Sequence, residues 1–160
     1  GKPFFCYLAT YSPHTPLGAP EEFVKPFRDK VKEEKHAVYL GMIENIDQNM
    51  GRLMEKLAEW GLEENTVLIF MSDNGMTGAG AGSSRANKPL GKSKDGKPMM
   101  MFNAGQKGLK GSTDEGGVRS VCYLRWSAKL PAGHTVRQIA GAIATVLPLP
   151  IVYLMVTKAV

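Results

Sequence analysis

Two oxygen-bearing side chains directly follow an apolar run near the middle of the chain. Asp73 and Asn74 close the stretch Thr66–Gly75, in which an unbroken run of apolar residues stops at a polar turn. One carboxylate and one amide carbonyl are hard oxygen ligands of the kind that Ca²⁺ or Mg²⁺ prefers. Gly75 would let the chain turn sharply behind them. The alternative is a strand end followed by an Asx-type turn without an ion.

A histidine near the beginning of the chain is held between prolines. His14 lies in the segment Ser12–Pro16, which follows a second apolar run. Two prolines restrict the backbone and prevent a helix, so the imidazole would be presented rigidly at the end of a strand. The alternative is a surface-loop histidine without a role.

A lysine lies within a glycine-rich segment later in the chain. Lys110 belongs to Lys107–Arg119, whose glycines allow close backbone approach. Its ammonium group could act as a point charge for an oxyanion. The spacing does not fit a P-loop, in which Gly-Lys is followed by Ser or Thr after a fixed gap.

Three apolar runs predict the strands that position these residues. They are Val67–Met71, Pro3–Ala9 and Val118–Trp126. Short unbroken apolar runs are typical of inner strands in a parallel sheet covered by helices. Ligands bind outside the carboxyl ends of strands in open α/β sheets, so Asp73 and Asn74 would stand at the mouth of a site.

The clearest helix is predicted over Ala37–Trp60. Its apolar residues alternate in steps of four and three and so share one face that packs against the sheet, and they are Tyr39, Ile43, Ile46, Met50, Leu53, Leu57 and Trp60. Gly61 suits the C′ position after this helix. Pro20–Lys35 is predicted to be a short surface helix or an ordered loop. A further helix is predicted from Thr135 to Pro148.

Composition indicates a single globular domain of 160 residues with a net charge of +5. Much of the positive charge lies in Arg85–Lys110, which could face a nucleic acid, an anionic substrate or water. Cys6 and Cys122 lie in apolar runs and are predicted to be buried small hydrophobes. Ile139–Val156 has no charged residue and is as long as a short membrane span, but its two prolines and its amphipathic first half favour a soluble element.

Several motifs, taken together in this order, resemble the formylglycine-dependent sulfatases. The resemblance covers the chain from Gly1 to about Leu147, and the motifs that carry it are Pro3–Phe5 with Pro13–Pro16, Met42–Leu53, Ser72–Gly75, Gly108–Arg119, Leu124–Trp126 and Lys129–Gly133. The resemblance implies an α/β fold with a mostly parallel sheet flanked by helices, an alkaline-phosphatase-like sandwich that is incomplete here. It implies hydrolysis of sulfate esters with Ca²⁺ as cofactor, on small molecules or sulfated glycans. From the residues themselves we expect no nucleic acid or membrane partner.

The resemblance also assigns roles to individual residues. Asp73 and Asn74 correspond to a pair of calcium ligands in the family. His14 corresponds to a histidine near the sulfate and the leaving-group oxygen, and Lys110 to a lysine that contacts sulfate oxygens. Calcium and lysine would stabilise the negative charge that builds on the sulfuryl oxygens. Glu115 and Arg119 are interpreted as an internal ion pair or loop brace.

The chain departs from the family pattern in its nucleophile. The family makes formylglycine from Cys or Ser in a Cys/Ser-x-Pro-x-Arg motif, which this sequence does not contain. The family's paired aspartates that complete the calcium site are also absent. We therefore interpret residues 1–147 as the C-terminal portion of a sulfatase catalytic domain, inactive alone, with the formylglycine in the missing half. Residues 148–160 are interpreted as a divergent apolar tail. Ser120-Val121 stands where the family usually has Val-Pro.

Other functions remain open from the sequence. The chain could be a non-catalytic sulfatase-like relic or an anion-binding module. It could also be part of a related metal-dependent phosphatase or phosphonate hydrolase. A nucleic-acid module built on Arg85–Lys110 is disfavoured, because only Phe102 provides an aromatic ring in that stretch. By resemblance, the protein would be periplasmic, secreted or lysosomal.

Overall fold

The computed structural model describes residues 2–76, 91–92, 95–99, 106–133 and 151–156. In chain order the elements are β1 (Phe5–Ala9), α1 (Glu21–Arg28), α2 (Glu34–Glu59), a 3₁₀ turn (Glu63–Asn65), β2 (Thr66–Met71), β3 (Gly91–Lys92), β4 (Pro98–Met99), α3 (Glu115–Val118), β5 (Cys122–Arg125) and β6 (Ile151–Val156). Both helices and strands are present, as the predicted α/β class requires.

The chain divides into two compact units. We call the first the sheet unit; it contains Gly1–Thr10, Asn49–Asp73 and Ser120–Val160. We call the second the loop unit; it contains Tyr11–Gln48 and Asn74–Arg119. The boundary passes through α2 and also between Asp73 and Asn74.

The sheet unit is built on four strands in the order β1-β6-β2-β5. Each of its three pairings is antiparallel, with Leu68 opposite both Leu154 on β6 and Arg125 on β5. The predicted mostly parallel sheet is therefore wrong for the described strands. β1 and β2 do run in the same direction, but β6 lies between them and runs opposite to both. An apolar run indicates that a strand is buried, but it does not indicate which strands pair with it or in which direction they run. The prediction of parallel pairing therefore had no support from the runs themselves.

β1 lies at an edge of this sheet, so the prediction of a second inner strand is wrong. All five of its residues are exposed, and Phe5 retains 60% of its accessible surface. The prediction that both cysteines are buried fails with it, because Cys6 is exposed while Cys122 is half-buried. Burial raises the pKa of the Cys122 thiol.

The second half of α2 packs against β2 in the sheet unit. Leu57 and Leu68 form the buried centre of this contact, and the partly buried residues around them are Met50, Leu53, Met54, Leu62 and Phe70. The predicted apolar face is thus confirmed for this half, although Trp60 at its end is 62% exposed. The helix ends at Gly61 with φ of 66°, where Leu62 N–H bonds to Leu57 O and Gly61 N–H to Ala58 O. This pair of bonds is a Schellman motif, as the glycine predicts.

The first half of α2 belongs to the loop unit and buries a different set of residues. Val24 on α1, Val31 and Ala37 form the centre of that core, and Met42 is also buried. Ile43, which the periodicity placed on the buried face, is 41% exposed. A single apolar face therefore does not run along the whole of α2, because the two halves of the helix pack in different units.

Some sequence predictions fall outside the described residues. These are the helix predicted from Thr135 to Pro148 and most of the basic stretch Arg85–Lys110. The described end of the apolar tail, Ile151–Val156, forms β6. No helix among the described residues is long and apolar enough to cross a membrane.

Candidate active site

The predicted metal ligands lie where the strand prediction put them. β2 ends at Met71, and Asp73 and Asn74 follow in a turn one residue later. Both side chains are half-buried. The apolar residues of β2 anchor the strand, so the two polar side chains are carried at a defined point just beyond its carboxyl end.

Lys110 is presented by a tightly wound loop, Lys107–Arg119. Gly111 has a φ of 90°, a left-handed conformation that side chains disfavour, and it turns the chain directly after the lysine. Within the loop, Gly116 N–H bonds to Lys107 O at 2.6 Å and Ser112 N–H to Leu109 O at 2.9 Å. These bonds close the loop on itself and leave the Lys110 side chain exposed.

Backbone contacts in the loop unit join the Lys110 loop to the residues that follow Asn74. Gly75 N–H bonds to Gly117 O at 2.9 Å, and Lys110 N–H bonds to Met76 O at 3.1 Å. A Cβ on Gly75 would lie 2.6 Å from the carbonyl carbon of Gly116, so only glycine fits there. The structure therefore brings Asn74 and Lys110 into one backbone framework, although 36 positions separate them in the sequence.

Charged side chains of the Lys110 loop form ion pairs with one another. Lys107 pairs with Asp114 at 3.1 Å, and Arg119 pairs with Glu115 at 3.0 Å. The second pair confirms the interpretation of Glu115 and Arg119 as an internal ion pair. In the part of the chain that the structure describes, Lys110 itself makes no ion pair.

His14 also lies in the loop unit, in the segment after β1, and its ring is exposed. Its Nδ1 lies 2.7 Å from the carbonyl oxygen of Thr15. A carbonyl only accepts hydrogen bonds, so Nδ1 carries a hydrogen and donates it. The edge of the ring packs against Tyr11, with the centroids 5.9 Å apart, and the Tyr11 hydroxyl also donates to Thr15 O. These contacts restrain the orientation of the ring.

A calcium ion fits the chemistry of Asp73 and Asn74 but needs more ligands than they provide. Calcium takes six to eight oxygen ligands, and this pair offers a carboxylate and an amide oxygen. Among the described residues, no three acidic, histidine or cysteine side chains cluster as a metal site. The chemistry of the pair is compatible with part of a calcium site, which would need further ligands.

Two contacts of or beside candidate residues, one in each unit, were not predicted from the sequence. Ser120 donates a hydrogen bond from its hydroxyl to the carbonyl of Ser72 at 2.5 Å, and Tyr11 packs on His14. The one signal for Ser120 was its departure from the family pattern. The described pocket of the sheet unit includes no candidate residue; it lies between α2 and β2, where Arg125 pairs with Glu63.

The described residues thus combine an exposed lysine on a glycine-rich loop with an exposed histidine whose ring is held by neighbouring contacts. The family model for sulfatases matches residues 1–147, so the chain belongs to the sulfatase family. This confirms the resemblance inferred from the motifs.

Curated relatives point to the same family. The uncharacterized sulfatase YdeN of Escherichia coli is 29% identical over 135 residues, which are 83% of this chain and 20% of that protein. Mouse steryl-sulfatase is 30% identical over 86% of this chain and 19% of its own length. Human arylsulfatase A is 29% identical over 84% of this chain and 22% of its own length. The chain thus spans about a fifth of these relatives. No solved structure matches it significantly.

Proposed function

We propose that the protein is a calcium-dependent sulfuric ester hydrolase of the arylsulfatase type. The observation that carries this proposal is the backbone framework joining the Asn74 turn to the Lys110 loop. It brings together two residues that the family resemblance assigns to calcium and to sulfate. Family membership supports the reaction class, and relatives named for aryl, steryl and N-acetylgalactosamine-6-sulfate substrates support a sulfate ester as substrate.

In this proposal each residue of the chain has a distinct task. Lys110 binds sulfuryl oxygens through its exposed ammonium group, while the other charged side chains of the loop pair with one another. His14 donates a proton from Nε2 to the leaving alcohol, while Thr15 O holds the opposite side of the ring. Asp73 and Asn74 hold calcium, which would polarise the sulfuryl group when bound.

We also propose that residues 1–147 form the C-terminal portion of the catalytic domain, an incomplete sandwich of the alkaline-phosphatase type. The Cys/Ser-x-Pro-x-Arg motif that yields the formylglycine nucleophile does not occur in these 160 residues. The pure chain is therefore expected to be inactive, because it has no group to form the covalent intermediate. Residues 148–160 are proposed to be a divergent tail, and export or a lysosomal location is proposed from the family.

The test uses the intact protein, expressed from its complete coding region, with 4-nitrophenyl sulfate as substrate. Lys110→Ala and His14→Ala should each lower kcat by about 10²- to 10³-fold while the far-UV spectrum stays unchanged. Lys97→Ala is the matched control, because Lys97 is 81% exposed and pairs locally with Asp95. Removal of calcium with a chelator should abolish turnover, and added calcium should restore it.

Several results would contradict the proposal. Wild-type rates in Lys110→Ala or His14→Ala would remove the assigned roles. Faster hydrolysis of 4-nitrophenyl phosphate than of the sulfate would favour the phosphatase alternative. An intact protein that folds and binds sulfate without hydrolysing any ester would favour the relic. Turnover by the pure 160-residue chain would contradict its predicted inactivity.

A further inference from the structure

Both backbone polar groups of Ser72 are bound by the segment that enters β5. Ser72 N–H bonds to Val121 O at 3.1 Å, and Ser72 O accepts a hydrogen bond from the Ser120 hydroxyl at 2.5 Å. Ser72 and Ser120 are both half-buried, and both belong to the sheet unit. The residue directly before the candidate calcium ligand Asp73 is therefore restrained on both sides.

The hydroxyl contact acts on the peptide group that carries Asp73. The carbonyl of Ser72, the N–H of Asp73 and the Cα of Asp73 lie in one plane, because the peptide bond is planar. A hydrogen bond to that carbonyl therefore limits rotation of the whole plane. The same hydrogen bond therefore limits the direction in which the Asp73 side chain leaves the backbone.

The end of the β2–β5 ladder explains why a side chain makes this contact. Backbone pairing of these strands ends with Met71 opposite Cys122, and the Ser72–Val121 bond adds one more backbone contact. Ser120 lies two residues before β5 begins, outside the backbone pairs of the two strands. The Ser120 hydroxyl reaches across and extends the ladder by one hydrogen bond through a side chain.

We propose that Ser120 is a positioning residue for Asp73, holding the carboxylate in the orientation that a calcium ion requires. This inference rests on the proposed calcium-dependent function. The Val-Pro pattern that the family usually has here carries no hydroxyl at the first position. A chain with that pattern could not form the hydrogen bond that the Ser120 hydroxyl makes. Groups that orient metal ligands typically influence metal affinity about 10- to 100-fold. Ser120 acts through the backbone, so we expect the lower end of that range.

The test measures calcium affinity by titration calorimetry on the intact protein after removal of metal. Ser120→Ala should weaken calcium binding about tenfold, and Ser120→Thr, which keeps the hydroxyl, should bind within about twofold of wild type. Ser127→Ala is the matched control, because Ser127 is exposed and its hydroxyl lies 3.3 Å from Glu63 rather than near Asp73. Hydrogen exchange should show faster exchange around Ser72 in Ser120→Ala and not in the control.

The outcomes separate this inference from the proposed function. If the wild type binds calcium and Ser120→Ala binds it equally well, the inference is overturned while the proposed function stands. Weaker binding that Ser120→Thr does not restore also overturns it, because the hydroxyl is then not responsible. If the wild type binds no calcium, the proposed function fails and the inference fails with it. If Ser120→Ala does not fold, calcium affinity is compared between Ser120→Thr and Ser120→Val. These two side chains have nearly the same shape, and only threonine carries the hydroxyl.

Discussion

The close contact of Gly75 with the Lys110 loop leads to the sharpest prediction for this protein. In Gly75→Ala the new Cβ would overlap the carbonyl oxygen of Gly116 and would lie 2.6 Å from its carbonyl carbon and 3.0 Å from the Cα of Gly117. Carbon atoms pack without repulsion at about 3.5–4.0 Å, so the two backbones must move apart by at least about 1 Å. Both neighbours are backbone atoms, which cannot avoid the clash by changing a rotamer.

That separation would break the hydrogen bonds that form the framework. The bonds Gly75 N–H to Gly117 O and Lys110 N–H to Met76 O, at 2.9 and 3.1 Å, would lengthen beyond hydrogen-bonding distance. Each bond contributes about 1 kcal/mol, and each buried group left without a partner costs about 1–3 kcal/mol. We therefore expect the framework to be destabilised by about 2–4 kcal/mol.

Hydrogen exchange with peptide resolution is the direct assay. A loss of about 2–4 kcal/mol corresponds to exchange about 30- to 700-fold faster at the amides of Gly75 and Lys110. The control is Gly51→Ala within α2, where a Cβ meets nothing within 4 Å. That variant should stabilise the helix by about 0.5–1 kcal/mol and leave both amides unaffected. Unchanged protection in Gly75→Ala would show that the two segments do not pack backbone to backbone.

Three further predictions concern the two cores. His36 is fully buried, and neither of its ring nitrogens has a hydrogen-bond partner among the described residues. Burial lowers the pKa of its imidazole below 6.5; the negative charge of Glu33 counteracts this lowering, and the positive charge of Lys35 adds to it. The unfolded chain thus takes up the proton first, so the free energy of unfolding should fall as the pH drops below about 6.5. His36→Leu should abolish that dependence and stabilise the protein by about 1–2 kcal/mol in urea unfolding at pH 7; an unchanged pH profile would refute the assignment. Trp126→Phe should cost about 0.5–1.5 kcal/mol in the same assay, since the indole N–H donates to Glu64 O at 2.9 Å, and an undiminished stability would show that this bond contributes nothing.

Local sequence patterns determined the elements that lie near the candidate site. The apolar run before Asp73 forms β2, and Gly61 ends α2 in the left-handed conformation that glycine permits. The ion pair of Glu115 and Arg119, which the family pattern indicated, joins residues four positions apart. Such features depend on contacts within a few residues, so the sequence carries them directly.

Only the tertiary structure decided how these elements combine. β6 enters between β1 and β2 and makes the pairings antiparallel, and β1 becomes an exposed edge; a run of apolar residues contains no information on its neighbours. The Ser120 contact joins positions 48 residues apart, and the framework of Asn74 and Lys110 depends on glycines that approach one another across a comparable separation. The types of the candidate residues are therefore fixed by the sequence, whereas their placement depends on backbone contacts that form only when the chain folds.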